Sequence, residues 1–208
     1  GSDLANVQTR ARLSDDGSQW VIDGQKVWTS NAHFSQWVFV VARTEPGSQR
    51  HHGLSFLLVP LDQPGIEVRP IEQLTGGSEF NEVFFTGAVT DADLVVGEPG
   101  RGWGVAMGLL GFERGVSTLG QVVGFQRELA VVCERARANG AIDDPVLRDR
   151  LASLQAELSV MRSNGIRGLS AVSGGEDSAA GGGAGSIFKI VWANWHQRLG
   201  EVAMDVLG

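Results

Sequence analysis

Trp28, Thr29 and Ser30 close the stretch DGQKVWTSNA, Asp23 to Ala32, whose alternation reads as a strand end. Alternation sends the Trp28 indole and the Ser30 hydroxyl to one face and Thr29 to the other. An indole gives a large, rigid, flat contact surface, and a hydroxyl can rotate to donate or accept. The structural alternative is a core tryptophan and a strand-end serine cap. The second candidate is Glu113, which precedes Arg114 in FERG, four residues after Leu109 and three before Val116. It lies at the edge of an apolar helical stripe, where partial desolvation would raise its pKa toward what a general base needs. Its alternative is an ion-paired helix glutamate. Arg114 carries a flat, permanent charge suited to phosphate or carboxylate, and packing support for Glu113 is equally open.

Other chemistries lack the residues they need. His33, His51, His52 and His196 stand at no metal-ligand spacing with Cys, Asp or Glu, so no metal site is expected. There is no GxSxG elbow, and Cys133, the one cysteine, lies far from any histidine and within the apolar run LAVVCERA. Gly100, Gly102 and Gly104 do not form a dinucleotide fingerprint after a strand, and no lysine follows the glycine-rich tract with P-loop spacing.

The elements that must position these residues fall into two halves. Short alternating runs at 7–13, 20–22, 26–30, 36–43, 54–60, 66–71, 81–86 and 94–96 are broken by Asp16-Gly17, Asp23-Gly24 and EPGSQRHHG, which predicts hairpins and a barrel or sandwich. After Gly97 the period changes. Three apolar stripes follow: Val105, Leu109, Phe112, Val116, Leu119, Val123; then Leu147, Leu151, Leu154, Leu158, Met161; then Phe188, Trp192, Trp195, Leu199, Val202, Val206. Asp144-Pro145 is a cap and first-turn proline for the second helix, and Ser186 is a cap for the third. Ser173 to Ser186 is expected to be a mobile loop. The fold class is α+β: a β domain over 1–97, then an antiparallel helical bundle over 98–208 that calls for a fourth helix.

The 208 residues carry 17 basic and 24 acidic side chains, a net charge of -7 that argues against nucleic acid as a partner. No apolar run reaches membrane-spanning length. Lys26 and Lys189 are the lysines among those 17 basic residues, and with 29 glycines this suggests GC-rich bacterial coding and a cytoplasmic home. The opening GSDLANVQTR reads as the middle of a longer protein, although Gly1-Ser2 could be a tag remnant.

Four patterns recur in order: GSDLA at Gly1 to Ala5, DGQKVWTSNA, GSEFNEVFF at Gly77 to Phe85 leading to VVGEPGRGWGVAM at Val95 to Met107, and FERG at Phe112 to Gly115. Together they resemble the flavin-dependent acyl-CoA dehydrogenases, from the middle β-barrel domain into the C-terminal helical bundle. The resemblance implies that this chain is a fragment without the N-terminal helical domain and the C-terminal end. It implies FAD between barrel and bundle, Trp28 against the flavin, Ser30 hydrogen-bonding near its N5, and Ser2 at its pyrophosphate. It also implies Glu113 as catalytic base, as in the isovaleryl-CoA and long-chain branch, and Arg114 holding CoA or the loop over it. Gly111 stands where the family commonly has an acid.

The implied reaction is α,β-dehydrogenation of an acyl-CoA to a 2-enoyl-CoA, as in the β-oxidation of fatty acids and related lipids. An electron-transfer flavoprotein would be the acceptor and a homotetrameric dimer of dimers the assembly. Two other readings are a non-catalytic partner subunit of such a complex and a flavin oxidase on the same fold.

Overall fold

The computed structural model describes residues 3–173 and 178–208, without the side chains of 112–119, 171–173 and 178–186. The strands are β1 (Arg10–Leu13), β2 (Gln19–Ser30), β3 (Trp37–Arg43), β4 (Leu54–Pro60), β5 (Ile66–Ile71) and β6 (Phe80–Asp91), and Val, Ile or Phe recur in all but β1. They make one sheet in the order β4-β3-β1-β2-β6-β5. The sheet curls: Thr90 Oγ1 on β6 donates to the Leu58 carbonyl on β4 at 2.6 Å, although three strands separate them in the order. Inside lie Trp20, Ile22, Val40, Leu57, Val59, Val83 and Phe85. Residues 94–96 run beside β4, where Leu58 N–H donates to Leu94 and Val96 N–H to Phe56.

Two turns were expected to flank Trp20 to Ile22, and only the first is one. At Ser14 to Ser18 the Asp16 carboxylate accepts from both serine hydroxyls and from the Ser18 amide. The Ser14 hydroxyl, followed by the Ser18 amide and hydroxyl, holds its pKa down at about 2. Asp23-Gly24, by contrast, lies inside one continuous strand, β2. The register with β6 slips there, because Gly87 is bulged at φ 67° and donates its N–H to Asp23 Oδ1. Gly24 has φ 142°, and a Cβ there would come within 2.7 Å of the Thr9 Cα, so the close crossing with β1 needs glycine.

Beyond Gly24, β1 no longer accompanies β2. Lys26 fills the gap, donating from Nζ to the Val41 carbonyl of β3 at 2.7 Å, and burial lowers its pKa to about 8.

The helices are α1 (Gly102–Asn139), α2 (Pro145–Ser173) and α3 (Ser178–Leu207). The chain divides into two compact units, Gly1–Gly108 and Leu109–Gly208. In the first, Gly102 opens α1 against the β4 backbone, where a Cβ would stand 2.5 Å from the Phe56 nitrogen.

The second unit has its own core of Val122, Phe125, Leu129, Leu151, Leu154, Leu158, Met161, Trp195, Leu199, Val202 and Val206. The α2 and α3 stripes are those expected from the sequence. On α1 the expected Phe112, Val116 and Leu119 have side chains outside the described residues; among the described ones Val122, Phe125, Leu129 and Ala136 are buried in this core, while Leu109 and Val123 are exposed. A strict seven-residue step drifts off the face of a 3.6-residue helix, and α1 is long enough for that drift to matter. Pairs Arg150–Asp205 and Arg198–Glu157 run α2 antiparallel to α3. Glu128–His196 and Asn139–Val206 run α1 parallel to α3.

Asp144 caps α2 through the amides of Val146 and Leu147. Of the expected loop at 173–186, residues 174–177 lie outside the described residues, and the stretch from Ser178 on is helix instead, so Ser186 is no cap: α3 already begins at Ser178. Once the Trp192 to Val206 turns are packed, each further helical residue gains a hydrogen bond without a new nucleus, which offsets the glycine penalty.

Candidate flavin-facing site

The end of β2 is held in an unusual conformation. Lys26 pairs with Val83 and Thr29 with Asn81, so Val27 and Trp28 together oppose the single residue Glu82. This is a β-bulge. Trp28 has φ 63° and Asn31 φ 60°, left-handed backbone that a bulky L-residue adopts at a cost. The indole is 60 % exposed and meets Phe80 edge-on, with ring centroids 6.1 Å apart. Ser30 pairs with Phe80 across the strands and is also exposed, while Thr29 is half-buried. Trp28, Ser30 and Phe80 therefore share one face.

What secures this end is Asn81, fully buried in β6. Its Nδ2 donates to the Thr29 carbonyl at 3.0 Å and to the Glu79 carbonyl at 3.3 Å. Its Oδ1 lies 3.2 Å from His33 Nδ1, which donates in the Nδ1–H tautomer. The Asn31 amide closes the turn onto the Glu79 carbonyl at 2.6 Å. The motif GSEFNEVFF contains Asn81, and an asparagine just ahead of the apolar Val83 to Phe85 is its only mark in the sequence.

A solvent-facing, flat indole with a hydroxyl beside it fits an aromatic ring system carrying polar ring atoms, and FAD is such a group. Of the other expected site residues, Ser2 lies outside the described residues; Asp3 to Val7 beside it form a short 3-10 turn. Glu113 and Arg114 lie on α1, and their side chains are outside the described residues. Among the described residues there is no group of three or more His, Cys, Asp or Glu that could hold a metal. Nor is any described helix long and apolar enough to cross a membrane.

Comparison with known proteins matches residues 1–88 to the acyl-CoA dehydrogenase middle domain and residues 100–208 to the acyl-CoA dehydrogenase C-terminal domain. The chain belongs to the acyl-CoA dehydrogenase family. It is 59% identical over 211 residues to acyl-CoA dehydrogenase IpdE1 of Mycobacterium tuberculosis, covering 100% of this chain and 52% of that protein. Acyl-CoA dehydrogenase FadE34 of the same organism is 36% identical over 209 residues, covering 99% of this chain and 28% of that protein. Among solved structures, the Tcur3481-Tcur3483 steroid ACAD superposes with a TM-score of 0.88 at 30% identity, over 100% of this chain and 52% of that one. The chain thus spans about half the length of IpdE1, the most similar of the relatives named here.

Proposed function

We propose that the protein to which this chain belongs is a FAD-dependent acyl-CoA dehydrogenase that forms a 2-enoyl-CoA from an acyl-CoA thioester. The observation that carries this reading is the bulged end of β2, where backbone strain is used to keep an indole outward in the family's own motif. FAD, when bound, supplies the acceptor for the hydrogen leaving Cβ as hydride. Trp28 would give the ring a flat wall, Ser30 a hydrogen bond and Ser2 a contact to the pyrophosphate. Glu113 would take the α-proton onto its carboxylate, and Arg114 would hold the CoA or the loop above it.

The relative named as a steroid ACAD supports a steroid-derived, polycyclic acyl group as substrate. An electron-transfer flavoprotein as acceptor, a dimer of dimers, a bacterial cytoplasm and a domain junction at Gly97-Glu98 complete the proposal.

The test is a spectrum. The full-length, assembled protein should be yellow and bleach on adding its acyl-CoA, and Glu113→Gln should keep FAD but not bleach. Undiminished bleaching by that variant would remove Glu113 from the role of base. A second reading is favoured by the paired designation of the Tcur3481-Tcur3483 relative: this chain as one of two unlike subunits, itself non-catalytic. A colourless full-length preparation that takes up no FAD alone, but assembles with a flavin-bearing partner, would decide for it.

A further inference from the structure

We propose that His33 and Asn81 form a latch that holds the bulge at Trp28 to Ser30 in the conformation that receives the flavin, both acting as positioning residues through the backbone of Thr29 and Asn31. The ligand in this statement rests on the dehydrogenase reading above; the latch itself does not.

The bulge needs a restraint that its ladder cannot give. Trp28 and Asn31 are both L-residues in left-handed backbone, at φ 63° and 60°. Beyond the bulge β2 keeps only the pairs Thr29 with Asn81 and Ser30 with Phe80. A slip of one residue over so short a stretch would remove the bulge and the strain together. It would set Trp28 opposite Asn81 and Thr29 opposite Phe80, exchanging the two faces and turning the indole inward. The outward indole and hydroxyl exist only while that slip is blocked.

The block is the fully buried side chain of Asn81. Both hydrogens of its amide nitrogen are used, one on the Thr29 carbonyl at 3.0 Å and one on the Glu79 carbonyl at 3.3 Å. The Glu79 carbonyl also accepts the Asn31 amide at 2.6 Å. One side chain thus grips the backbone on both sides of Ser30.

An amide in this place must be kept from turning over, which would set Oδ1 against two carbonyl oxygens. Its other side decides this. His33 Nδ1 lies 3.2 Å from Asn81 Oδ1, and an amide oxygen only accepts, so Nδ1 carries the hydrogen. The bond is kept whether the ring is neutral or protonated. His33 is placed in turn by Asn31, whose carbonyl accepts the amides of Phe34 and Ser35 and the Ser35 hydroxyl, and by an edge contact with Phe34 at 4.7 Å between ring centroids. The turn that Asn31 opens therefore carries the histidine that secures Asn31, in a closed circuit of His33, Asn81, Glu79 and Asn31.

This circuit supports an exposed face, not a core. His33 is exposed, so its own packing adds little to the fold, and the face it fixes holds an indole left 60 % open. Ordering an indole and a hydroxyl before a flat ligand arrives means that binding loses less to ordering them afterwards.

The test uses the isosteres of histidine. In asparagine the amide nitrogen stands where Nδ1 does, and in glutamine where Nε2 does, so His33→Asn keeps the donor to Asn81 and His33→Gln removes it. Because replacing the buried Asn81 endangers the fold, the exposed histidine is the residue to change. In the full-length, assembled protein freed of FAD, hydrogen exchange followed by mass spectrometry on the peptide from Trp28 to Gln36 should be about tenfold faster in His33→Gln than in wild type. In His33→Asn it should stay within about threefold. When FAD is added back, its Kd should rise about tenfold in His33→Gln and within about threefold in His33→Asn. Melting temperatures of both variants should lie within about 2 °C of wild type.

Three results overturn the proposal. Exchange and FAD affinity unaltered in both variants would leave the latch without effect. Equal losses in both would make His33 a packing residue. Faster exchange in His33→Gln with unaltered FAD affinity would take the flavin out of its role. If wild type binds no FAD, the dehydrogenase reading falls, and the exchange rates alone decide the latch, so the two fail separately.

Discussion

Trp28 accepts two costs at once. Left-handed backbone in an L-residue costs about 1–2 kcal/mol, and an indole 60 % exposed forgoes much of the burial that would offset it. Its compensation within the fold is the edge contact with Phe80, worth roughly 0.5–1.5 kcal/mol. Trp28→Gly should therefore change the stability of the flavin-free protein by no more than about 1 kcal/mol while sharply lowering FAD affinity. Thermal melting and flavin titration check it; a loss of 3 kcal/mol or more would make Trp28 a packing residue. The sequence put Trp28 and Ser30 on one face correctly. It could not show that the face opens to solvent, because the bulge arises from a register slip against β6, where Thr29 and its partner Asn81 are 52 residues apart, and from the buried amide of Asn81.

Lys26 shows how an element can end without leaving a hole. β1 is only four residues long, and beyond it the β3 carbonyl of Val41 would face β2 across a gap. The lysine spans that gap, and its desolvated ammonium titrates at about 8 instead of 10.5. Below about pH 8 the amine is protonated in both folded and unfolded chains, and the full burial penalty is present. Between about 8 and 10.5 the unfolded chain holds more protons than the folded one, so stability rises with pH; above that window the penalty is gone. Lys26→Met removes this titration. The stability of wild type relative to the variant should rise from pH 7.5 to 10.5, by on the order of 1–3 kcal/mol. Denaturant melts at the two pH values read it, and a constant difference would show that Lys26 is not desolvated.

Each of the two units carries its own core, and in the helical one Trp195 joins all three helices. It is fully buried on α3, its Nε1 donates to the Leu154 carbonyl of α2 at 2.9 Å, and its ring lies 5.2 Å from that of Phe125 on α1. Trp195→Ala should cost about 3–5 kcal/mol through the cavity it leaves in the core. The midpoint of the urea-induced loss of helical signal measures it, and a loss under 1 kcal/mol would contradict this packing. The α2 and α3 stripes, the Asp144 cap and the change from strands to helices after Gly97 were all legible from residue order, because periodicity and capping are local properties of the chain. The family, too, was legible from four short motifs. The strand order of the sheet, the continuity of β2 through Asp23-Gly24, the helical start at Ser178 and the meeting of Arg10 and Arg12 with the Thr44 to Gly53 loop were not. Each depends on contacts between segments distant in sequence, whose energies override the preferences of the residues that make them.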